Sequence, residues 1–565
     1  MKHIQRYAIL FVAIVIVATS CKKAVPEQTK YIPKDAMFVF EVNWKSLSEK
    51  ASKANINWDS LYSAMSEKDA DSMMSANRKM MQDFMHSGID TTKDIFFYMK
   101  MGGSIMNGQN VSGGVIGAMD DAAKFEAFLK KQPRAGDIQK GSNYSFAKIN
   151  ESFYVGWNSD VVIVTGSENT QNLQGNMGGG STPPPVTSDA QTLAALFAQK
   201  EEESVASIPA FRDLMGEKGD MLFWSNSSGA LSSVPILGMT KIADLLKDSY
   251  SAGVFNFEDG KMIATTKSYS GKDLAAIWDK YKGPEVNMDM VNQFPEPVEG
   301  YAAFSFNPQI IAEIVKYGGF ESTVKQFMEK TGFTMDEVLK IFNGDFAVVF
   351  SGVGEEETTY NFGGEPIKTK RPVAKLVVNI GIGDKAAYDK VMSKLEQMGE
   401  VEMKNGQYMP KDLGGMAWNM NGKNLVIATD SILLQQYLSG KGNAAIPADI
   451  ASQSKGKSVA FYVDINKILS AFASDSDANN AIKTGQATFK NVVATSTNYN
   501  GKYVEGKLEL TMANERENSL ASLVKFFAAV SKEAMRYEKR MNNDMEDMNL
   551  DSTEMMSPPP PPKEN

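Results

Sequence analysis

Short apolar segments with alternating polar residues recur along the chain and predict half-buried β-strands. Clear examples are Met37–Val42, Ala302–Phe306 and Val459–Val463. Helix-like segments lie between them at irregular intervals, and several neighbouring strands are close enough in sequence to form hairpins. The pattern predicts an α+β fold, in which helices pack on one face of largely antiparallel sheets.

The same order of elements occurs twice, which predicts two tandem repeats. The segment Tyr31–Lys50 corresponds to Phe294–Lys316, since both have a proline, a strand-like run, an Asn and the start of a helix. Further matched segments begin, in the same order, at Asp83 and Gln326, Val111 and Val373, Asn143 and Gln407, and, without a gap, Gly219 and Lys457. We therefore predict an α+β repeat at 31–292 and a second at 293–530.

Several turn positions are also matched between the repeats. We predict left-handed helix caps at Gly88 and Gly332, and N-caps at Asp121 and Asp384. The dipeptides Ile208-Pro209 and Ile446-Pro447 are predicted to end helices.

Three segments depart from the repeated pattern. Residues 171–190 are rich in Gly, Ser and Pro and predict a flexible surface loop. Residues 353–372 in the second repeat predict a long hairpin tip. From Ser531 to the end, charged residues, methionines and five consecutive prolines predict a frayed helix that leads into a disordered tail.

The amino terminus is typical of a bacterial lipoprotein signal peptide. A basic start is followed by an apolar run, Tyr7–Ala18, and by the small residues Thr19 and Ser20 before Cys21. A helix of about 12 residues rises only about 18 Å, too short for a membrane core of roughly 30 Å. We predict a signal peptide at 1–20, lipid attachment at Cys21 and a polar tether at 21–30.

Composition excludes several common chemistries. The 565 residues carry a net charge of −9 with no basic stripe, so nucleic-acid binding is not expected. Cys21 is the only cysteine, and the two histidines are His3, in the signal peptide, and His86. A histidine cluster for zinc or a Cys–His pair therefore cannot form in the exported body. We interpret His86 as a surface or helix-terminal residue, and predict no cofactor, metal or catalytic residue.

Two short motifs resemble ligand-binding loops, but details of their sequences favour a structural explanation. GIGDKA at Gly381–Ala386 resembles a nucleotide-binding turn, but the matched turn that begins at Ala118 lacks glycines, so we interpret Asp384 as a simple helix cap. DSDANNAI, which starts at Asp475, has calcium-loop spacing, yet Gln486 stands where the bidentate Glu belongs. We interpret this second motif as a solvated loop.

Aromatic residues and carboxylates leave two further hypotheses open. Trp157 and Trp418, with Tyr144 and Tyr408 nearby, have the chemistry of sugar platforms, but their match between repeats favours core packing. Acids are abundant, and a catalytic carboxylate pair for glycoside hydrolysis requires a separation of about 5–9.5 Å that only a structure can reveal.

Taken with Cys21 and the doubled order of elements, the segment IPKDA, followed by a strand, gives the chain a family resemblance. It resembles the large, uncharacterised lipoproteins of Bacteroidetes, a family of unknown function. The resemblance covers nearly the whole exported body and implies a Gram-negative envelope, but no activity.

The sequence thus favours a membrane-anchored envelope lipoprotein with a non-catalytic binding or scaffolding role. We expect the outer membrane, with the body facing the periplasm, and a protein or polymer partner. A carboxylate-based glycan hydrolase and a carrier of an apolar ligand are the alternatives.

Overall fold

The computed structural model describes residues 25–56, 83, 86–104, 108–132, 135–149, 153–169, 190–227, 241–362, 365–404, 406–411, 414–473, 479–534 and 536. Cys21, the predicted signal peptide, most of the predicted 171–190 loop and nearly all of the tail lie outside these residues. Within them the fold mixes helices and strands, as the hydrophobic pattern predicts.

The strands account for most of the framework. They are β1 (Phe38–Val42), β2 (Ile95–Ser104), β3 (Gly108–Ala118), β4 (Gln139–Lys140), β5 (Ser145–Lys148), β6 (Phe153–Trp157), β7 (Val161–Asn169), β8 (Met221–Asn226), β9 (Tyr250–Glu258), β10 (Lys261–Tyr269), β11 (Gly300–Ser305), β12 (Phe342–Phe362), β13 (Glu365–Ile382), β14 (Val401–Lys404), β15 (Gln407–Pro410), β16 (Ala417–Met420), β17 (Asn424–Ala428), β18 (Val459–Val463), β19 (Phe489–Ser496) and β20 (Tyr503–Met512). The hairpin of β12 and β13 confirms the long tip predicted at 353–372.

The helices lie between the strands in sequence. They are α1 (Trp44–Lys53), α2 (Ala122–Leu129), α3 (Ala190–Ala198), α4 (Pro209–Leu214), α5 (Ile242–Leu245), α6 (Lys272–Lys280), α7 (Asp289–Asn292), α8 (Gln309–Tyr317), α9 (Glu321–Thr331), α10 (Met335–Ile341), α11 (Lys385–Gln397), α12 (Ser431–Leu438), α13 (Ala448–Ser454), α14 (Ile465–Ala471), α15 (Asn479–Thr488) and α16 (519–534). Helix α16 continues past Ser531, where we predicted a frayed helix that leads into the tail.

One antiparallel sheet of 18 strands runs through both halves of the described chain. The two halves meet at β10 and β20, which pair along their whole length. From β10 the sheet continues β9, β8, β1, β2, β3, β7, β6, β5 and β4. From β20 it continues β19, β18, β11, β12, β13, β17 and β16. The two orders correspond strand by strand. If β11 is counted as the first strand of the second half and β20 as its tenth, the strands from β20 to β16 follow the same order as those from β10 to β6.

Each half buries its main core on one face of the sheet, which we call the inner face. In the first half, Val39 and Trp224 point from the sheet into a core closed by α3 and α4. In the second half, Tyr301 and Tyr462 point into a core closed by α12 and α13. At the central pair the inner face instead carries charged side chains, so the two cores stay separate. These are Lys261, Lys267, Glu505, Lys507 and Glu509.

Smaller cores lie at the far ends of the sheet, on the opposite, outer face. Trp157 is 2% exposed and packs edge-on against Phe125 of α2. Trp418 and Tyr408 pack against the matching core under α11. Tyr144 stacks on Phe197 with ring centroids 4.3 Å apart. Packing, and not sugar binding, therefore explains these four aromatic residues.

Local caps follow the sequence, with one error. Asp121 and Asp384 accept backbone hydrogen bonds at the starts of α2 and α11, and Gly88 and Gly332 have positive φ. The Ile-Pro dipeptides were predicted to end helices. Ile208 caps the end of a short 3-10 helix, Val205–Ser207, but no helix ends at Ile446-Pro447, and both prolines lie at helix starts. Pro209 is the first residue of α4 and Pro447 caps the start of α13. Proline suits the first helical turn because its missing N–H has no partner there.

Candidate functional site

Most of the backbone amides of the motif at Gly381–Ala386 are already hydrogen-bonded within the protein. The backbone N–H groups of Gly383 and Asp384 donate to the carbonyls of Ile341 and Lys340, at 2.8 and 2.9 Å. The Asp384 carboxylate accepts from the next two helical amides, those of Ala386 and Ala387. The glycines permit this close approach, because a Cβ on Gly383 would lie 2.9 Å from the Lys340 oxygen. The turn is thus a structural junction, as its glycine-free counterpart suggested.

The remaining sequence candidates do not converge on a site. His86 is exposed. Asp475 and Asp477 lie outside the described residues, and Gln486 lies within α15, where it donates to Ser470. Among the residues that the structure describes, no three His, Cys, Asp or Glu side chains are grouped to hold a metal ion.

One pair of carboxyl groups is close together, but it is not arranged for hydrolysis. Glu41 is 7% exposed and forms a hydrogen bond with Asp94. Burial, together with the neighbouring Asp94 charge, raises the pKa of Glu41 to about 8. Burial also raises the pKa of Asp94. Direct contact leaves no room for a sugar between the two groups, and neither residue lines a described cavity.

A cavity lies where the two halves meet. It has a volume of about 530 Å³ and sits at one end of the sheet, beneath α5, α6 and α8. Helices α5 and α6 belong to the first half and α8 to the second, and they pack together through Leu245, Ile277 and Ile310. We call this space the junction cavity. Its volume is within the range of roughly 300–1,000 Å³ that small-molecule sites occupy.

The lining of the junction cavity is aromatic and aliphatic, with hydroxyl groups between. Its aromatic residues include Tyr250, Tyr269, Trp278, Tyr281, Phe304 and Tyr499. Among the described lining residues there is no Asp or Glu, and Lys282 is the single charged side chain. A smaller depression of about 40 Å³ does contain acids, Asp213 and Glu217, but each is paired with a lysine.

The opposite end of the sheet is closed by a buried ion pair. Asp220, just before β8, has a side chain that is 2% exposed. Its carboxylate accepts hydrogen bonds from Ser46 Oγ at 2.6 Å and Lys50 Nζ at 2.5 Å, both on α1. It also accepts from the Phe257 amide at 2.6 Å. Asp220 therefore holds α1 directly against the ends of β8 and β9. We call these contacts the Asp220 clamp.

Ser458 occupies the corresponding place in the second half. The Asp220 amide donates to Phe255 O, and the Ser458 amide donates to Ser496 O, in each case just before the paired strands begin. Ser458 Oγ turns back to the same Ser496 oxygen at 3.2 Å and makes no bond to α8. A short side chain thus replaces the clamp, and Ser458 lines the junction cavity. The segments that begin at Gly219 and Lys457 already align these two residues, so the difference was visible in the sequence.

Apolar surface continues from the cavity along the outer face of the sheet. Val459 lines the cavity and is 39% exposed. Leu508, further along the same face, is 37% exposed, and Phe40 and Phe97 are 41% and 40% exposed. Of these residues only Val459 lines the cavity, and Phe40 and Phe97 lie on strands of the first half.

Comparisons with known proteins identify the family. Residues 28–559 match the family described as "Domain of unknown function (DUF4836)". The chain belongs to this family. The DUF4836 family is described as having no known function, so membership assigns no activity. No curated protein matches the chain.

Two solved structures, crystal forms IV and I of a protein named TP0453, are similar to part of the chain. They are 10% and 9% identical and align with 44% of this chain, covering 83% and 81% of their own. The TM-scores are 0.24 and 0.23, too low to carry an argument about fold or function. In the described part of the DUF4836 chain, no helix combines the length and apolar character needed to cross a membrane.

Proposed function

We propose that this DUF4836 protein is a membrane-tethered, non-catalytic binding protein whose ligand occupies the junction cavity. The observation that carries the proposal is a cavity of about 530 Å³ with an aromatic and aliphatic wall and no described acid. Of the functions that the sequence left open, this chemistry favours a carrier of an apolar ligand over a glycan hydrolase, because a hydrolase needs two carboxylates beside its substrate.

A comparison with the Asp220 clamp at the opposite end of the sheet supports the proposal. The two ends have the same strand order but differ in how the helix beside them is held. Asp220 holds α1 against the sheet, whereas Ser458 leaves α8 apart from it. We infer that the two halves arose by duplication and that one of the paired ends is open for binding.

Membrane tethering rests on the lipobox-like segment that ends at Cys21. We infer that the protein is a lipoprotein of the Gram-negative envelope, anchored in the outer membrane with its body facing the periplasm. Replacement of Cys21 with Ala should release the protein from membranes, as measured by fractionation. A C21A variant that still sediments with membranes would contradict the anchor.

Co-purification tests the binding role. The native protein is extracted with organic solvent and the released small molecules are identified by mass spectrometry. Val459→Trp should fill the cavity, since Val459 lines it and is exposed enough to be enlarged without displacing backbone. Leu508→Trp is the matched control, because Leu508 lies on the same face outside the lining.

We expect an apolar ligand to be enriched in the wild type and L508W and lost in V459W. Equal recovery from all three proteins would overturn the proposal. A protein or polymer partner is a second candidate, favoured by the exposed Phe40 and Phe97. Crosslinking that depends on these two residues, with no co-purified ligand, would support that candidate instead.

A further inference from the structure

Several hydroxyl groups of the junction cavity already have hydrogen-bond partners within the protein. Ser305 Oγ donates to Asp345 at 2.6 Å, and Tyr281 OH donates to Glu313 at 2.7 Å. Ser249 Oγ accepts from the Gly271 amide at 2.9 Å, and Ser458 Oγ is used as described above. Hydroxyls that already have partners gain little from a polar ligand. The wall therefore behaves as an apolar surface, which suits a hydrocarbon chain better than a sugar.

The tyrosines of the cavity do not change this character near neutral pH. Burial, together with the nearby Asp248, raises the pKa of Tyr250 to about 12. Burial also raises the pKa of Tyr269. Both phenols therefore stay uncharged near neutral pH. Trp224 stacks on Tyr250 with ring centroids 4.8 Å apart, which holds this part of the wall in place.

One charged side chain, Lys282, belongs to the described lining of the cavity. Lys282 is exposed and follows α6 in a segment held by Asn498, whose side-chain amide donates to Gly283 O at 3.0 Å and Pro284 O at 3.2 Å. Tyr281 and Lys280 both donate hydrogen bonds to the Glu313 carboxylate. The acids Asp248 and Asp345 accept hydrogen bonds from Tyr250 and Ser305 of the lining, which leaves Lys282 as the charged side chain of the described lining.

We propose that the junction cavity binds an anionic single-chain amphiphile, with the hydrocarbon chain between Trp278 and Val459 and the head group beside Lys282. The inference rests on the proposed function and names the chemical class of its ligand. A free fatty acid and a lysophospholipid with an anionic head group share this chemistry.

Photoaffinity labelling tests this proposal on the lipidated, full-length protein in detergent-free nanodiscs. The probe is hexadecanoate with a photoreactive group at the chain end, and labelled peptides are mapped by mass spectrometry. We expect labels in 274–283, 304–310 and 496–504. V459W should reduce labelling at least tenfold, while L508W leaves it unchanged. Labels spread evenly over the protein, or equal labelling of V459W, would overturn the proposal.

Competition with unlabelled amphiphiles defines the ligand. Saturated fatty acids of 10–16 carbons should gain about fourfold in affinity per methylene until the cavity is full. Lys282→Gln should weaken hexadecanoate about two- to fivefold, the scale of an exposed charge pair. Lys272→Gln, the same change at an exposed position on α6, should have no effect. Hexadecanol that competes as well as hexadecanoate would overturn the anionic head group.

The experiments distinguish a fatty acid from a lysophospholipid as the ligand, and they distinguish failure of the amphiphile proposal from failure of the binding function. Whichever of hexadecanoate and hexadecanoyl lysophosphatidylglycerol competes at the lower concentration is the favoured source. If V459W loses a co-purified ligand but the hexadecanoate probe does not label the cavity, the amphiphile proposal fails and the binding function stands. If no ligand is lost from V459W and no labelling occurs, both fail.

Discussion

The Asp220 clamp gives the sharpest test of how the closed end of the sheet is held. Its carboxylate accepts three hydrogen bonds, one of them from the Lys50 ammonium, and is almost fully buried. Asp220→Asn keeps the shape but removes the negative charge, and so leaves the Lys50 ammonium without its ionic partner and with the Phe257 carbonyl as its remaining acceptor. Breaking a buried pair costs about 3–5 kcal/mol. Lys50 is 26% exposed and regains some hydration, so we expect the lower end, about 3 kcal/mol.

Hydrogen exchange measures this loss where it occurs. A local loss of about 3 kcal/mol corresponds to amide exchange roughly 100-fold faster in α1 and at the start of β8. The control is Glu515→Gln, which removes the partner of Lys490 in a pair whose side chains are 65% and 52% exposed. Exposed pairs contribute about 0–1 kcal/mol, so this change should be small. If D220N exchanged within threefold of the wild type in α1, the clamp would not be what holds the helix.

Two further predictions follow from buried side chains, and a third follows from the charge of the cavity wall. The folded-state pKa of Glu41, about 8, lies above its ordinary value of 4.5, so the folded protein binds more protons than the unfolded chain between these values and loses stability as pH rises. Glu41→Gln should therefore raise the melting temperature at pH 8 and change it little at pH 4, and the opposite trend would contradict the raised pKa of Glu41. Trp157→Ala should cost about 3–5 kcal/mol in urea unfolding, and Trp418→Ala clearly less, because Trp418 is only partly buried; equal losses would refute the difference in packing. Ser458→Asp places a carboxylate in the cavity wall and should weaken hexadecanoate roughly tenfold at pH 8, about 1.4 kcal/mol, as measured by labelling; unchanged labelling would place the ligand elsewhere.

Local features of this fold could be predicted because each depends on a few neighbouring residues. Asp121 and Asp384 cap helices through their own following amides, and Gly88 and Gly332 adopt a backbone conformation that other residues avoid. The Ile-Pro dipeptides failed because proline is compatible with the start of a helix as well as with its termination.

Long-range features could not be predicted in the same way. β10 and β20 pair across more than 230 residues of sequence, and alternation alone does not select which strands become neighbours. The junction cavity combines α5 and α6 of one half with α8 of the other, so no single segment carries its signature. One local signal was available, the ungapped alignment of Asp220 with Ser458, but its meaning required the contacts of both residues.

The most direct test of the account is hydrogen exchange of the native protein in nanodiscs, with and without hexadecanoate. If the junction cavity is the binding site, added ligand should slow exchange in 268–283, 304–310 and 496–504, and leave α1 and the Asp220 end unchanged. Protection at the Asp220 end, or no protection anywhere at saturating ligand, would contradict the claim that the open end between the halves is where this protein binds.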